Sequence, residues 1–301
     1  MVFQQVLVLF LLIVVGYAVR KLNIVTDAIN REIGGLVINI ALPAFLIVSM
    51  NQSFSMEMLR TSGIFVVLSF GVYAGFAVSA KFFSKLLRVH GKERDVFEYV
   101  LLFSNVGYMG YPVVQVVFGA QGVFYTAVYN LSFSVLVWSY GVFLMNRNSD
   151  HNEKRKGFLN PGLVAVFIGF FLFAFSIELP KPIAQTLKMI GDTTTPLSMM
   201  FIGFILAQTE MRSILTEWKV FAISGIRLIV QPVSVWLVLR LFGVEGMLLN
   251  VPVLIASMPA AANTAIIASK YGSDYQLAAK LIYISTLLSV FTIPLVVKIL
   301  T

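Results

Sequence analysis

Residues 104–112 read Ser104-Asn105-Val106-Gly107-Tyr108-Met109-Gly110-Tyr111-Pro112, and residues 257–264 read Ser257-Met258-Pro259-Ala260-Ala261-Ala262-Asn263-Thr264. Each stretch lies inside an apolar run long enough to cross a bilayer. Proline lacks an N–H and its ring clashes with the carbonyl four residues back, so Gly, Pro and Asn gathered at that depth interrupt the helical ladder. Backbone groups freed inside a membrane are tolerated only where protein or a wet cavity surrounds them. A single break of this kind is ordinarily a packing kink. Two at matched positions, each with an asparagine, point to a binding site.

The match follows from one offset. Subtracting 153 from a residue number in the second half lands Pro196 on Pro43, Glu210-Met211 on Glu57-Met58, Gly169 on Gly16, Tyr271-Gly272 on Phe118-Gly119, Ser257 on Ser104 and Ser285 on Ser132. The chain therefore reads as a tandem duplication, and in a membrane chain a weak internal repeat is a hallmark of secondary transporters. The membrane reading rests on composition. Hydrophobic residues make up 58% of the chain and charged residues 12%, where a soluble domain carries about 25% charge. Mean hydropathy is +0.89. The first apolar run begins at Val2 with no basic residue before it and is followed by Arg20-Lys21, so it reads as a spanning helix rather than a signal peptide.

Apolar segments fall at about residues 2–20, 34–51, 61–87, 96–118 and 122–146, then 159–177, 187–207, 215–242, 247–270 and 276–299. The expected fold is an all-α integral membrane protein of ten transmembrane helices. A first five-helix repeat occupies 1–146, a cytoplasmic linker 147–158 and a second repeat 159–301. Loops after odd-numbered helices hold 15 of the 22 Lys and Arg residues, and the opposite side holds 5, Arg60, Lys181, Lys188, Arg240 and Lys298. Positive charge favours the cytoplasmic side, which places both termini outside a plasma (inner) membrane. Because five is odd, the second repeat enters from the opposite face, giving two inverted repeats with broken crossover helices four and nine. The net charge of +8 is then a topology signal, and no nucleic-acid partner is expected.

A broken helix presents N–H groups at one half-helix and carbonyls at the other, so two facing breaks can hold an anion, a cation or both. Candidate substrate-binding residues are Asn105, Gly107, Gly110, Pro112, Ser257, Pro259 and Asn263, the two asparagines adding neutral amides. Arg227, midway along helix eight, is a further candidate. An intramembrane arginine costs about 2.5–3.5 kcal/mol on insertion scales and is usually functional. It can bind a substrate carboxylate bidentately, snorkel, or pair with Asp192 or Glu98. A second matched pair of kinks is expected at Pro43 and Pro196, freeing carbonyls at Asn39 and Asp192. Candidate ion-coupling residues are Asp192, Thr195, Glu98 and Asn39; the Asp192–Pro196 run (DTTTP) offers carboxylate and hydroxyl oxygens to a proton or Na⁺, with Na⁺ placed near Asp192 or the crossover. Lys280 reads as snorkelling to the cytoplasmic surface, and His90 and His151 as solvated loop residues. The chain has no cysteine, no GxxxxGK[ST] loop and no HExxH or GxSxG motif, so neither an enzyme nor a cofactor beyond a coupling H⁺ or Na⁺ is expected.

The NVGYMGYP and MPAAANT breaks, the two five-helix halves and the central loop resemble the auxin efflux carrier family, whose bacterial members include proteins assigned as malate and malonate permeases. The family is similar in fold to bile-acid/sodium symporters and sodium–proton antiporters. The resemblance implies a scaffold of helices 1, 2, 6 and 7 and a core of helices 3–5 and 8–10 that moves elevator-fashion. A small organic anion is the expected substrate, carried across the lipid bilayer, and the oligomeric state is open, although elevator-type carriers are often homodimers. The alternatives are a cation/proton antiporter on the same fold, for which crossover carboxylates would be expected where this chain has amides, and a passive channel or non-transporting membrane sensor.

Overall fold

The computed structural model describes residues 2–148, 161–208 and 217–300. His151, Lys154, Arg155 and Lys156 of the central loop, and Glu210, Met211 and Arg212, lie outside the described residues. The chain is helical along nearly all of the described length and has no β-strand there. An isolated antiparallel bridge joins Ser104 and Ala260.

In chain order the helices are α1 (Val2–Lys21), α2 (Asp27–Leu36), α3 (Leu42–Met50), α4 (Met56–Leu86), α5 (Gly91–Leu102), α6 (Tyr111–Leu136), α7 (Val142–Asn146) and α8 (Pro161–Ala174). They continue with α9 (Lys181–Asp192), α10 (Thr194–Gln208), α11 (Trp218–Gly225), α12 (Gln231–Leu241), α13 (Met247–Ala256), α14 (Thr264–Lys270) and α15 (Tyr275–Leu300). Seven described stretches are long and apolar enough to cross a membrane: Gln4–Lys21, Glu32–Met50, Met56–Leu86, Val106–Asn146, Lys181–Gln208, Trp218–Leu241 and Tyr275–Leu300. α8 and α13 are shorter apolar helices. Large apolar side chains such as Leu11, Val67, Phe171, Phe291 and Ile299 remain exposed, as lipid contact requires.

Four π turns lie among the described residues, at Val37–Ala41, Val106–Gly110, Val137–Gly141 and Ile226–Val230. Three of them run into a proline two residues on, at Pro43, Pro112 and Pro232. The wider turn is visible in Leu42 N–H donating to the Val37 carbonyl and Gln231 N–H to the Ile226 carbonyl, five residues back. It spares the proline ring the clash that a regular α-turn would impose. The expected kink at Pro43 is thus a π turn. At Pro196 the interruption is the boundary between α9 and α10 at Thr193. Gly119 and Gly272, partners at the 153-residue offset, both adopt the left-handed backbone, with φ of 65° and 72°. Gly119 turns the chain between the segments expected at 96–118 and 122–146.

The chain forms two compact units, each drawing on both halves of the sequence. The first comprises Met1–Val67, Gly107–Leu131 and Leu159–Gln208. Within it α1 packs on α10 at a small-residue contact. A Cβ on Gly16 would fall 2.2 Å from the Met200 carbonyl oxygen, and one on Gly203 would fall 2.1 Å from that of Ile13. Small residues let the two backbones approach, which is how helices associate where no hydrophobic force acts between them. α3 packs on α8 and α9 through Gly169 against Met50 and Gly191 against Phe45.

The second unit comprises Leu68–Val106, Ser132–Phe158 and Thr209–Thr301. Tyr73, Tyr99, Phe103 and Phe133 form an aromatic cluster, and Gly141 admits Phe103 and Tyr99 closely. Ion pairs between elements link this unit. Glu93 of α5 pairs with Lys219 of α11 at 3.0 Å, and Glu217, just ahead of α11, pairs with Lys280 of α15. Lys280, expected to snorkel, stays partly exposed and is paired with a carboxylate of the protein. The Glu217 carboxylate lies 63 residues away in sequence.

Candidate functional site

α5 ends at Leu102, Phe103 continues with extended backbone, and the next ordered turn begins at Val106. α13 ends at Ala256 and α14 starts at Thr264. The two interruptions meet as extended segments. Asn105 N–H donates to the Pro259 carbonyl at 2.9 Å, and Ala261 N–H donates to the Phe103 carbonyl at 3.2 Å. The Ser285 hydroxyl accepts from Ala260 N–H at 3.1 Å. Ser257 and Thr264 turn their hydroxyls back onto the Leu254 and Ala261 carbonyls, at 2.7 and 2.6 Å. Backbone groups at each interruption are thus satisfied in part by the opposite one, as burial requires. Gly107, Gly110 and Pro112, expected to interrupt helix four, lie instead in the π turn Val106–Gly110 and in α6.

Arg227 completes this junction. It lies in the π turn Ile226–Val230 and is fully buried. Its Nε donates to the Met258 carbonyl and its Nη1 to the Leu101 carbonyl, each at 3.1 Å. The amide of Gln231, one turn on, accepts from Arg227 and donates to the same Leu101 carbonyl at 2.7 Å. The Phe76 ring lies 5.6 Å below the guanidinium. In an unbroken helix Leu101 O would receive Asn105 N–H and Met258 O would receive Ala262 N–H. Both donors are lost to the breaks, and a cation lies against the negative ends of two helices. The carboxylates expected as Arg227 partners pair elsewhere. Glu98 pairs with Arg94 at 2.6 Å and Arg147 at 2.9 Å, and Asp192 pairs with Lys188 at 2.7 Å.

The remaining candidates separate by burial and by unit. Asn105 is buried, whereas Asn263, at the start of α14, is exposed. Gly107, Gly110 and Pro112 belong to the first unit. There Tyr108 hydroxyl donates to the Gly34 carbonyl at 3.1 Å, and its ring lies 4.6 Å from that of Phe201. Asn39 and Asp192, the polar pair expected at the second set of kinks, both present exposed side chains, and Thr195 is half-buried. The buried hydroxyls there are Thr194, within the Asp192–Pro196 run, and Ser198, which the sequence did not single out. Glu98 is buried in an ionic cluster with Asp95, and Arg147 donates to Asp95 at 2.5 Å. Burial by itself would lower the Arg147 pKa, but the hydrogen bond to Asp95 and the charges of Glu98 and Asp95 outweigh it, so the pKa is raised. Gln231 was the other omission, and the QP step after Arg227 was its only trace in the sequence.

Several bilayer-length apolar helices, interrupted helices joined at their breaks and a buried arginine on the freed carbonyls describe a multi-pass membrane protein of the transporter class. The profile of the membrane transport protein family matches residues 1–297. The chain belongs to that family, the auxin efflux carrier family. It is similar to an uncharacterized transporter of Methanocaldococcus jannaschii, at 26% identity over 96% of each chain. It is 24% identical to an uncharacterized transporter of Methanothermobacter thermautotrophicus, over 97% of this chain and 96% of the other. A protein of Rhizobium meliloti named "Putative malonate transporter" is 25% identical over 96% of this chain and 92% of its own.

Proposed function

We propose that the protein is a secondary carrier of small organic anions, mono- or dicarboxylates, working by alternating access across the plasma (inner) membrane. The observation that carries this reading is the junction of the two breaks, where Asn105 bonds the Pro259 carbonyl beside a buried arginine. Equivalent interrupted spans in both halves mark the binding site of many transporters. The name of the Rhizobium meliloti relative favours a carboxylate. Asn105 is the first candidate for substrate contact. Arg227 serves as the positioning residue that holds both breaks by their carbonyls.

Ten spanning helices as two inverted repeats, both termini outside, follow from the 153-residue offset and the charge asymmetry. An elevator-type motion of a core of helices 3–5 and 8–10 against a scaffold of helices 1, 2, 6 and 7 is what the family resemblance implies. With the inside negative, one charge over 100 mV is worth about 2.3 kcal/mol. Uncoupled anion movement then favours efflux, and uptake needs H⁺ or Na⁺. Reconstitution into liposomes with labelled malonate, malate and indole-acetate, with and without ion gradients, tests the reading. Saturable flux stimulated by substrate on the far side is expected. Non-saturable flux without exchange would make the protein a channel, and no flux with any of these anions would leave the sensor reading in its place.

A further inference from the structure

The second unit carries a cavity of about 280 Å³ beside the start of α5, lined by His90, Gly91, Arg94, Arg147 and Asn148. None of these residues belongs to the junction of the two breaks. Arg94 Nε donates to Glu98 at 2.6 Å, and Arg147 meets Asp95 at 2.5 Å through Nε and Glu98 at 2.9 Å through Nη2. A guanidinium has five N–H donors in a planar fork, so each arginine keeps donors beyond these contacts. The charges are layered. Asp95 and Glu98 are 0% and 1% exposed, whereas Arg147 and Arg94 are 20% and 43% exposed. The carboxylates therefore hold the cations from behind, and a ligand entering the cavity meets the cations first. No side chain caps α5, so the N–H groups of its first turn add partial positive charge at the same place. The stretch 81–94 also contributes Lys81, Lys85, Arg88 and Lys92 against one acid, Glu93, which pairs with Lys219. An apolar surface adjoins the cleft. Arg147 N–H donates to the Phe143 carbonyl at 3.1 Å, one turn earlier, and the exposed Phe143 ring stacks with that of Tyr140 at 6.0 Å.

We propose that this cavity binds the phosphate group of an anionic phospholipid through Arg94 and Arg147, with His90 beside them. Arginine forks match phosphate oxygens bidentately, and a fork already oriented by a carboxylate gives up little freedom on binding. Basic pockets between membrane helices recognise lipid headgroups in this way. A free phosphate compound offers the same oxyanion. The aromatic pair at Tyr140 and Phe143 favours the lipid, because exposed rings at the membrane surface lie at headgroup level. A bound headgroup would tie the start of α5 to the end of α7. α5 is also the helix whose Leu101 carbonyl Arg227 holds, so the lipid would steady one arm of the junction from its far end. The site itself is independent of the carrier reading.

Thermal unfolding of the purified full chain in neutral detergent tests the site, with phosphatidylglycerol, phosphatidylcholine or inorganic phosphate added at constant ionic strength. A ligand bound only by the folded state raises the melting temperature with its concentration. Phosphatidylglycerol is expected to raise it by several degrees and to saturate. Phosphatidylcholine, which carries a cation beside its phosphate, should do little. Arg94→Gln should need about tenfold more phosphatidylglycerol for the same rise, as loss of a charge-assisted hydrogen bond implies. Should that chain fail to fold, Arg94→Lys keeps the ion pair with Glu98 but has no fork, and should shift the response the same way. Arg240→Gln, at an exposed arginine paired with Glu245 outside the cavity, should respond as the wild type does. A rise with inorganic phosphate as large as with phosphatidylglycerol overturns the lipid and assigns the cavity to a free phosphate compound. No rise with either, an equal rise with phosphatidylcholine, or an undiminished response in the Arg94 variants overturns the site. A chain that moves no carboxylate but still melts higher with phosphatidylglycerol retains it, so the two readings fail separately.

Discussion

At the scale of single residues the junction depends on Arg227 more than on the asparagines that announce it. Its two carbonyl bonds are charge-assisted and fully buried. Hydrogen bonds to charged groups contribute about 1.5–3 kcal/mol each, and truncation leaves the acceptors unpaired. Arg227→Met is therefore expected to cost about 3 kcal/mol or more. The loss would register as a lower melting temperature together with loss of flux. Arg227→Lys keeps the charge but reaches only one carbonyl, and should fall between the two. Asp95→Asn is a contrasting case, because Asp95 is buried and bonded by both Arg147 and Asn148. Removing one partner of a buried ion pair costs about 3–5 kcal/mol, and the variant should be destabilised while any substrate affinity it retains stays normal. Lys280→Met should cost under about 1 kcal/mol, since both partners in its pair with Glu217 are partly solvated.

Helices in the first unit meet through missing side chains. Gly203→Val would drive a branched side chain into the Ile13 carbonyl of α1, and overpacking of this kind typically costs about 1–3 kcal/mol. The same substitution at Gly75, where a Cβ meets nothing within 4 Å, should leave the melting temperature nearly unchanged. The interruption of helix four falls at 103–105, ahead of Gly107, Gly110 and Pro112, which lie in the π turn and α6, whereas that at 257–263 was legible because Pro and Asn have a local backbone meaning that no packing can hide. Gly119 was legible for the same reason. The π turns were not, since the proline that follows three of them by two residues announces only a kink, and a π turn differs from an α turn by one residue. Arg227 was visible as an anomaly, but its partners were not, because backbone carbonyls have no sequence signature. Ser198 escaped because a hydroxyl's burial depends on how α10 packs, and Asp192 drew attention by its charge although it is exposed.

Over the whole molecule the duplication gains its functional meaning from inversion. The absence of cysteine makes that testable, since any introduced thiol is the sole reactive one. Lys92→Cys should react with an impermeant maleimide only from the cytoplasmic side, and Lys181→Cys only from the outside. Labelling of both from one side would contradict the inverted arrangement.

The central claim, that the paired breaks form the site of a carrier, is tested most directly by exchange of labelled carboxylate in proteoliposomes. Unlabelled substrate inside should accelerate entry of label, entry should saturate, and Asn105→Ala in a normally folded chain should abolish or sharply weaken it. Entry that rises linearly with concentration, ignores substrate inside, or persists unchanged in Asn105→Ala would contradict it.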